Sequence, residues 1–351
     1  MFRKTVQAME GYVPGEQPRD RRTVKLNTNE NPYPPSPVVL EALRDALGEG
    51  LRLYPRPMSD ELRERAARVY AVRPENVLVG NGSDDLLSMV ARASIEPGVR
   101  VAYPVPTYSL YDTLVELHDG TAVRVPFEAD FSLPPKLLQV DARVIFLANP
   151  NSPSGTLVPP DAVQTLAERQ RKALVVVDEA YVDFADTNCL AAVKELPNVL
   201  VLRTLSKSFS LAGLRIGLAI GPERIIEALA KVKDSYNVNR LSAVAGAAAL
   251  RDLRWMEANV RRIRRTRELL RGELLAMGFE VYPSQANFVL ARRPGRDLSA
   301  LHEGLRRRGV LVRYFPTRDL RDCLRITVGT DDEIRILLRV LSQLLRNEPE
   351  E

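Results

Sequence analysis

Residues 173–221 read ALVVVDEAYVDFADTNCLAAVKELPNVLVLRTLSKSFSLAGLRIGLAIG. Three short runs in this stretch, ALVVVDEAY (173–181), NVLVLRT (198–204) and RIGLAIG (215–221), are strand candidates that are apolar on both faces. Strands of that kind must be covered from two sides, which argues for a mostly parallel sheet with helices above and below. Working outward, the same pattern predicts strands at 77–80, 99–104, 121–126 and 143–149, making a seven-stranded sheet. Between them, helices are predicted at 38–47, 59–70, 84–94, 107–117, 160–171 and 222–233. After residue 240 the pattern changes. One long helical segment over 241–277 is followed by FEVYPS, NFVLARR, a helix at 298–308, VLVRYF, CLRITVG and a helix at 331–346, which reads as a smaller α+β unit. The expected organisation is an irregular arm over 1–27, a large α/β domain over 28–245 and a small α+β domain over 246–351.

Composition limits what such a chain can be. Of 351 residues, 45% are hydrophobic and 27% charged, the balance of a folded globular protein rather than a disordered one. No apolar run approaches the ~18 residues of a membrane span. The N-terminus lacks the apolar core of a secretory signal, so the cytoplasm is the expected compartment. Two cysteines, Cys189 and Cys323, stand far apart, which excludes a disulfide framework or a zinc finger. The two histidines, His118 and His302, have no ligand spacing around them, and no metal is expected. The net charge of +5 is carried mostly by arginine, densest in RDLRWMEANVRRIRRTRELLR (251–271). Its apolar residues fall near helical spacing, so a long solvated helix explains the charge without a nucleic-acid partner.

In an open α/β sheet the ligand sits at the carboxyl ends of the strands. Four such positions carry chemistry. In VLVGNGSDDLL (77–87) a glycine turn leads into a helix whose free N–H groups favour an anion, with Gly82, Ser83 and Asp84 at its start. The dinucleotide fingerprint is incomplete there, because Asp85 stands where its third glycine belongs; a plain strand–helix turn would read the same way. ALVVVDEAY delivers Asp178 to a strand end with Tyr181 three residues on, a carboxylate able to pair with a protonated ring nitrogen or simply to cap a turn. TLSKSFSLAGLRIG (204–217) places Lys207 in a serine-rich loop, where its amine can form a Schiff base with a carbonyl cofactor. Thr204, Ser206 and Arg215 around it suit a phosphate. LANPNSPSG (147–155) offers Asn151 toward a ring hydroxyl, or turn chemistry alone. Taken together, an anion-binding helix start, an aromatic, Asn, Asp-x-x-Tyr, Ser-Lys and Arg fit pyridoxal phosphate.

These residues resemble the fold-type I pyridoxal-phosphate aminotransferases, most closely the histidinol-phosphate subfamily. The resemblance spans nearly the whole chain: YVPGEQP, LNTNENPYPPSP, LYPRPMSDELRERAA, VGNGSDDLL, PVPTYSLY, NPNSPSG, VVVDEAYVDF, RTLSKSFSLAGLRIG, ANFVL and CLRITVGT. It implies an aspartate-aminotransferase-like fold and a homodimer with a shared active site. Lys207 would bind the cofactor's aldehyde and shuttle protons, Asp178 would keep the pyridine nitrogen protonated, and Tyr181 would donate to the ring oxygen. Tyr108 would stack on the ring. The amides of Ser83 and Asp84 would hold the phosphate with Thr204, Ser206 and Arg215, the Asp84 carboxylate pointing away from it. Tyr54 would reach that phosphate from the partner subunit. Arg325 would clamp the substrate carboxylate, Arg313 would meet a substrate phosphate, and Tyr12 and Asn29 would close over the substrate. Relatives carry Asn-Asn-Pro-Thr-Gly where this chain reads Asn151-Ser152-Pro153-Ser154-Gly155, leaving Asn151 or Ser152 to meet the ring hydroxyl. The implied reaction moves an amino group from L-histidinol phosphate to 2-oxoglutarate, in ping-pong fashion. An aromatic or broad-range aminotransferase and a threonine-phosphate decarboxylase are the alternatives, and a non-catalytic binding module would have lost Lys207, Asp178 or Tyr181.

Overall fold

The structure, a computed structural model, describes residues 1–9, 11, 15–18, 20 and 22–346. Its strands are β1 (Val24–Leu26), β2 (Val77–Gly80), β3 (Arg100–Val105), β4 (Thr121–Pro126), β5 (Val144–Ala148), β6 (Leu174–Asp178), β7 (Val199–Thr204), β8 (Gly217–Ile220), β9 (Glu280–Val281), β10 (Phe288–Arg292), β11 (Val310–Tyr314) and β12 (Cys323–Thr327). Among the described residues these form two sheets.

The larger sheet runs β2-β8-β7-β6-β5-β3-β4. It is parallel except for β8, which is antiparallel to both neighbours. Strand alternation sorts its core into two layers. Val144 and Phe146 face the helices Ser83–Ser94 and Glu223–Val232, packing with Leu86, Met89 and Leu229. Ile145 and Leu147 face the helix Pro160–Arg169, packing with Val163 and Leu166. From β3 the chain steps outward to β4, then returns to β5 and continues the other way through β6 and β7. That reversal opens a crevice at the carboxyl ends of β3, β5 and β6.

The smaller sheet runs β1-β11-β12-β10-β9. Its core gathers Val289, Val312, Leu324 and Ile326 against Leu270 and Leu274 of the helix Leu253–Ala276 and Leu337 and Leu341 of the helix Asp331–Arg346. No helix among the described residues is long and apolar enough to cross a membrane.

Two expectations need correction. The arm over 1–27 is not irregular throughout. It contains the short helix Lys4–Ala8, and Val24–Leu26 pair in parallel with Val310–Val312, giving the smaller sheet an edge strand. The long helix over 241–277 is two helices, Arg240–Ala249 and Leu253–Ala276. Asp252 breaks it: its carboxylate accepts from the Trp255 N–H (3.3 Å) and from the Ser36 hydroxyl (2.6 Å), capping the second helix. The first helix, rich in alanine, belongs with the large sheet, where Ala247, Ala248 and Leu250 pack with Leu62 and Ile216. That core therefore continues past the expected division at 245.

Candidate active site

β6 ends in the crevice and presents Asp178 there, buried. Its Oδ1 accepts from the Ala180 N–H (3.2 Å) and its Oδ2 from the Tyr111 hydroxyl (3.1 Å). Burial pushes the carboxyl up to about 6, and the nearby Asp84 charge adds to this while the Tyr111 hydrogen bond works against it. A carboxylate in that position is stabilised by any cation brought beside it.

The end of β2 and the start of β8 meet in a tight glycine contact. Gly82 has φ +84° and precedes the helix Ser83–Ser94, whose first turn no side chain caps. A Cβ on Gly82 would come within 2.6 Å of Arg215 Nη2, and one on Gly217 within 2.4 Å of the Gly82 carbonyl carbon. Only glycine fits at either place. Thr204, at the end of β7, accepts from the Ser206 N–H (3.1 Å) and donates to the Ser206 hydroxyl (3.0 Å), which in turn accepts from Arg215 (3.5 Å). Backbone donors, two hydroxyls and a guanidinium thus surround a volume from which side chains are excluded, which is the donor set of a phosphate site.

The Asp84 carboxylate is not turned away from this cradle, contrary to expectation. It accepts from Arg215 Nη2 (3.0 Å) and from the Tyr108 hydroxyl (3.1 Å). Both of these donors lie within reach of an acceptor-only group. The Arg215–Asp84 pair is 44% exposed on each side and contributes little to stability.

Lys207 sits between the two sheets. Its Nζ donates to the Thr28 carbonyl (3.3 Å) and lies 5.6 Å from the centre of the Tyr181 ring. Asn31 donates to the carbonyls of Lys207 and Ser208 (3.0 Å each), fixing the loop. Beneath it lies a buried ionic cluster. Arg203 donates to Glu179 (2.7 Å) and Asp183 (3.1 Å), and the Ser208 hydroxyl donates to Asp183. The neighbour of Asp178 and the neighbour of Lys207 are therefore tied through one arginine.

The smaller sheet closes the other side. Asn29, with φ +57°, donates to the Tyr181 hydroxyl (3.0 Å) and accepts from Thr327 on β12 (2.9 Å). Tyr181 packs edge-on to Phe288 of β10. Arg325 donates to Ser152 Oγ (3.1 Å) and to the Asn27 carbonyl (3.1 Å). Arg313 lies opposite Arg325 in the β11–β12 register, so two arginines share this end of the crevice. Phe315 lies within 5.6 Å of both.

Most of the expected residues thus converge. Asn151 ties its loop to the one that follows β3: its amide donates to the Pro106 carbonyl (3.2 Å) and, within its own loop, to Ser154 (2.9 Å), and its carbonyl accepts from Thr107 (2.8 Å). Ser152 is the residue of that loop that faces the crevice. Tyr54 is 79% exposed and stacks on Tyr236 (4.4 Å) at the surface. Tyr12 lies outside the described residues. Tyr111, Thr28 and Asn31 join the site without having been singled out, although Tyr111 follows Tyr108 by one helical turn and Thr28 and Asn31 flank Asn29 in the NTNEN run.

A sheet open at its carboxyl ends, a phosphate-type cradle, a buried aspartate at a strand end and a lysine over the ring of Tyr181 agree with the known proteins that this chain resembles. The sequence model described as Aminotransferase class I and II matches residues 21–341, and the chain belongs to that family. It is 46% identical over 347 residues to histidinol-phosphate aminotransferase 1 of Trichormus variabilis, covering 98% of this chain and 99% of that one. Among solved structures it is similar to histidinol-phosphate aminotransferase from Sinorhizobium meliloti in complex with pyridoxal-5'-phosphate, with a TM-score of 0.91 at 28% identity, covering 99% and 98% of the two chains. It is also similar to a Thermus thermophilus aspartate aminotransferase mutant, with a TM-score of 0.83 at 25% identity over 99% of each chain. The fold is that of the fold-type I, aspartate-aminotransferase-like enzymes.

Proposed function

We propose that this chain is a pyridoxal-phosphate-dependent aminotransferase that takes its amino group from L-histidinol phosphate and passes it to 2-oxoglutarate. The fit of the cofactor is supported by the cradle that a Cβ on Gly82 or Gly217 would fill, and by a buried carboxylate that gains from a neighbouring cation. When bound, pyridoxal phosphate supplies an electron-withdrawing ring that makes the substrate's α-proton removable. The amides of Ser83 and Asp84, with Thr204, Ser206 and Arg215, would hold its phosphate, Tyr108 would pack on its ring, and Asp178 would hold the proton on its nitrogen. Lys207 would bind its aldehyde and would carry a proton at the substrate's α-carbon. Tyr181, whose hydroxyl accepts from Asn29, would donate to its ring oxygen, with Asn151 or Ser152 beside it.

The observation that carries the substrate reading is the Arg313–Arg325 pair in register on adjacent strands. Two guanidiniums suit a phosphate on the donor and the two carboxylates of the acceptor, one pair after the other in a double displacement. Phe288 and Phe315 around Arg325 favour a second reading, an aromatic amino acid as donor. Mixing the cofactor-loaded protein with histidinol phosphate, phenylalanine, tyrosine or threonine phosphate separates the readings. Rapid conversion of the cofactor to its amine form by histidinol phosphate is expected. Conversion by phenylalanine alone overturns the substrate assignment, and release of carbon dioxide from threonine phosphate would indicate a decarboxylase.

The working unit in this reading is a cytoplasmic homodimer. Leu51, Leu53, Tyr54 and Tyr236 are exposed and line one surface depression, an apolar patch that a second copy would cover, bringing Tyr54 to the partner's cradle. Sedimentation of the loaded protein tests this: a monomer at micromolar concentration overturns it.

A further inference from the structure

Tyr111 meets Asp178 from the helix that follows β3. It belongs to the helix Leu110–Leu117 and is fully buried. Its ring stacks on Phe146 (4.9 Å between centroids, 14° between planes) and meets Tyr108 edge-on (5.8 Å, 80°). Held by those two rings and tilted against Tyr103, it has one direction for its hydroxyl, and there it donates to Asp178 Oδ2 at 3.1 Å. Burial and the adjoining carboxylate push the phenol's own ionisation well above its ordinary range, so it stays a donor.

Asp178 is under opposing influences. Burial and the Asp84 charge favour its neutral form. A neutral carboxylic acid carries no charge with which to stabilise a protonated ring nitrogen. The two hydrogen bonds, from Tyr111 and from the Ala180 N–H, favour the ionised form. They also leave the carboxylate no freedom to rotate, because each oxygen has its own donor.

We propose that Tyr111 is a positioning residue for the transamination, its hydroxyl keeping the Asp178 carboxylate ionised and aimed at the cofactor's ring nitrogen. The inference rests on the pyridoxal-phosphate reading of the site.

The test is Tyr111→Phe in the holoenzyme, a change that removes one hydroxyl and keeps both ring contacts. With pyridoxal phosphate labelled with ¹⁵N in the ring, the nitrogen resonance of the variant should move toward that of unprotonated pyridine at the same pH. Turnover should fall roughly ten- to a hundredfold, as for loss of a hydrogen bond to a charged group, with a smaller change in KM. Tyr111→His, which keeps a ring and returns a donor, should recover part of the ¹⁵N shift. In an Asp178→Asn background, removing the hydroxyl should cost nothing further, because the group it acts through is gone. An unchanged nitrogen resonance, equal resonances in Tyr111→Phe and Tyr111→His, or full additivity with Asp178→Asn overturns the role. Failure of the unmodified chain to take up the cofactor is a separate result and overturns the functional reading itself.

Discussion

The floor of the crevice and its arginine end are held by different kinds of contact. The floor is built within the larger sheet and its loops: the Gly82–Gly217 approach, the Thr204–Ser206 turn, Asp178 between two donors, and the buried Glu179–Arg203–Asp183–Ser208 cluster. The arginine end is assembled across the two sheets, by Arg325 on Ser152 and on the Asn27 carbonyl, and by Asn29 spanning Thr327 and Tyr181. Buried bonds inside one body fix geometry. Bonds between bodies can be exchanged for bonds to a ligand. The first arrangement suits chemistry that is the same for every substrate, and the second suits choosing among substrates.

Four substitutions probe that contrast, in decreasing order of expected effect. Lys207→Ala should leave a folded protein with no absorbance band of lysine-bound cofactor and turnover reduced by roughly 10⁴-fold, whichever donor is supplied. Residual turnover of the usual size would show that the floor does not carry the common chemistry. Asp178→Asn should lower turnover by roughly 10³-fold, leaving a measurable rate, and at the same time stabilise the cofactor-free fold. The carboxyl lies near 3.8 when unfolded and is raised to about 6 when folded, so the native state holds its proton more tightly. Stability is therefore lost as pH rises from about 4 to 6, and above that window the ionised group costs about 3 kcal/mol. Urea unfolding of Asp178→Asn at pH 7 should show that gain, and at pH 4 little of it; an equal difference at both pH values breaks the comparison. Arg313→Ala should lower kcat/KM for histidinol phosphate by about a hundredfold and for phenylalanine only severalfold, because a charge-assisted contact to phosphate is lost. Equal losses would move Arg313 out of the substrate-choosing end. Ser152→Ala removes one donor–acceptor pair from Arg325 and should raise KM by about fivefold for all donors, with kcat unchanged; a change in kcat would place Ser152 with the floor.

The same division governs what could be read from the chain beforehand. β5, β6 and β7 were legible because strands buried on both faces are continuous apolar runs, and the groups at their ends follow directly. The floor came with them. β1 was not legible: Val24–Leu26 are three residues in a polar arm, and their partners at Val310–Val312 are remote in sequence. The break before Leu253 depends on one capping aspartate inside an otherwise helical pattern. Tyr111 fell inside the helix expected over 107–117 and was not singled out, since nothing local announces that its hydroxyl meets a carboxylate 67 residues away. Asn151 and Ser152 could not be separated by sequence, because which of two adjacent side chains turns inward depends on Thr107 and Pro106 from a different loop.

β1 has one more consequence. It lies beside β11, the strand that carries Arg313, and the chain that leaves it reaches Thr28 two residues later, whose carbonyl accepts from the Lys207 amine. The strand that bears one arginine is thus bonded to a segment whose next carbonyl but one holds the Lys207 amine, so a single pair of strands and two residues of backbone span the distance between the two ends of the crevice.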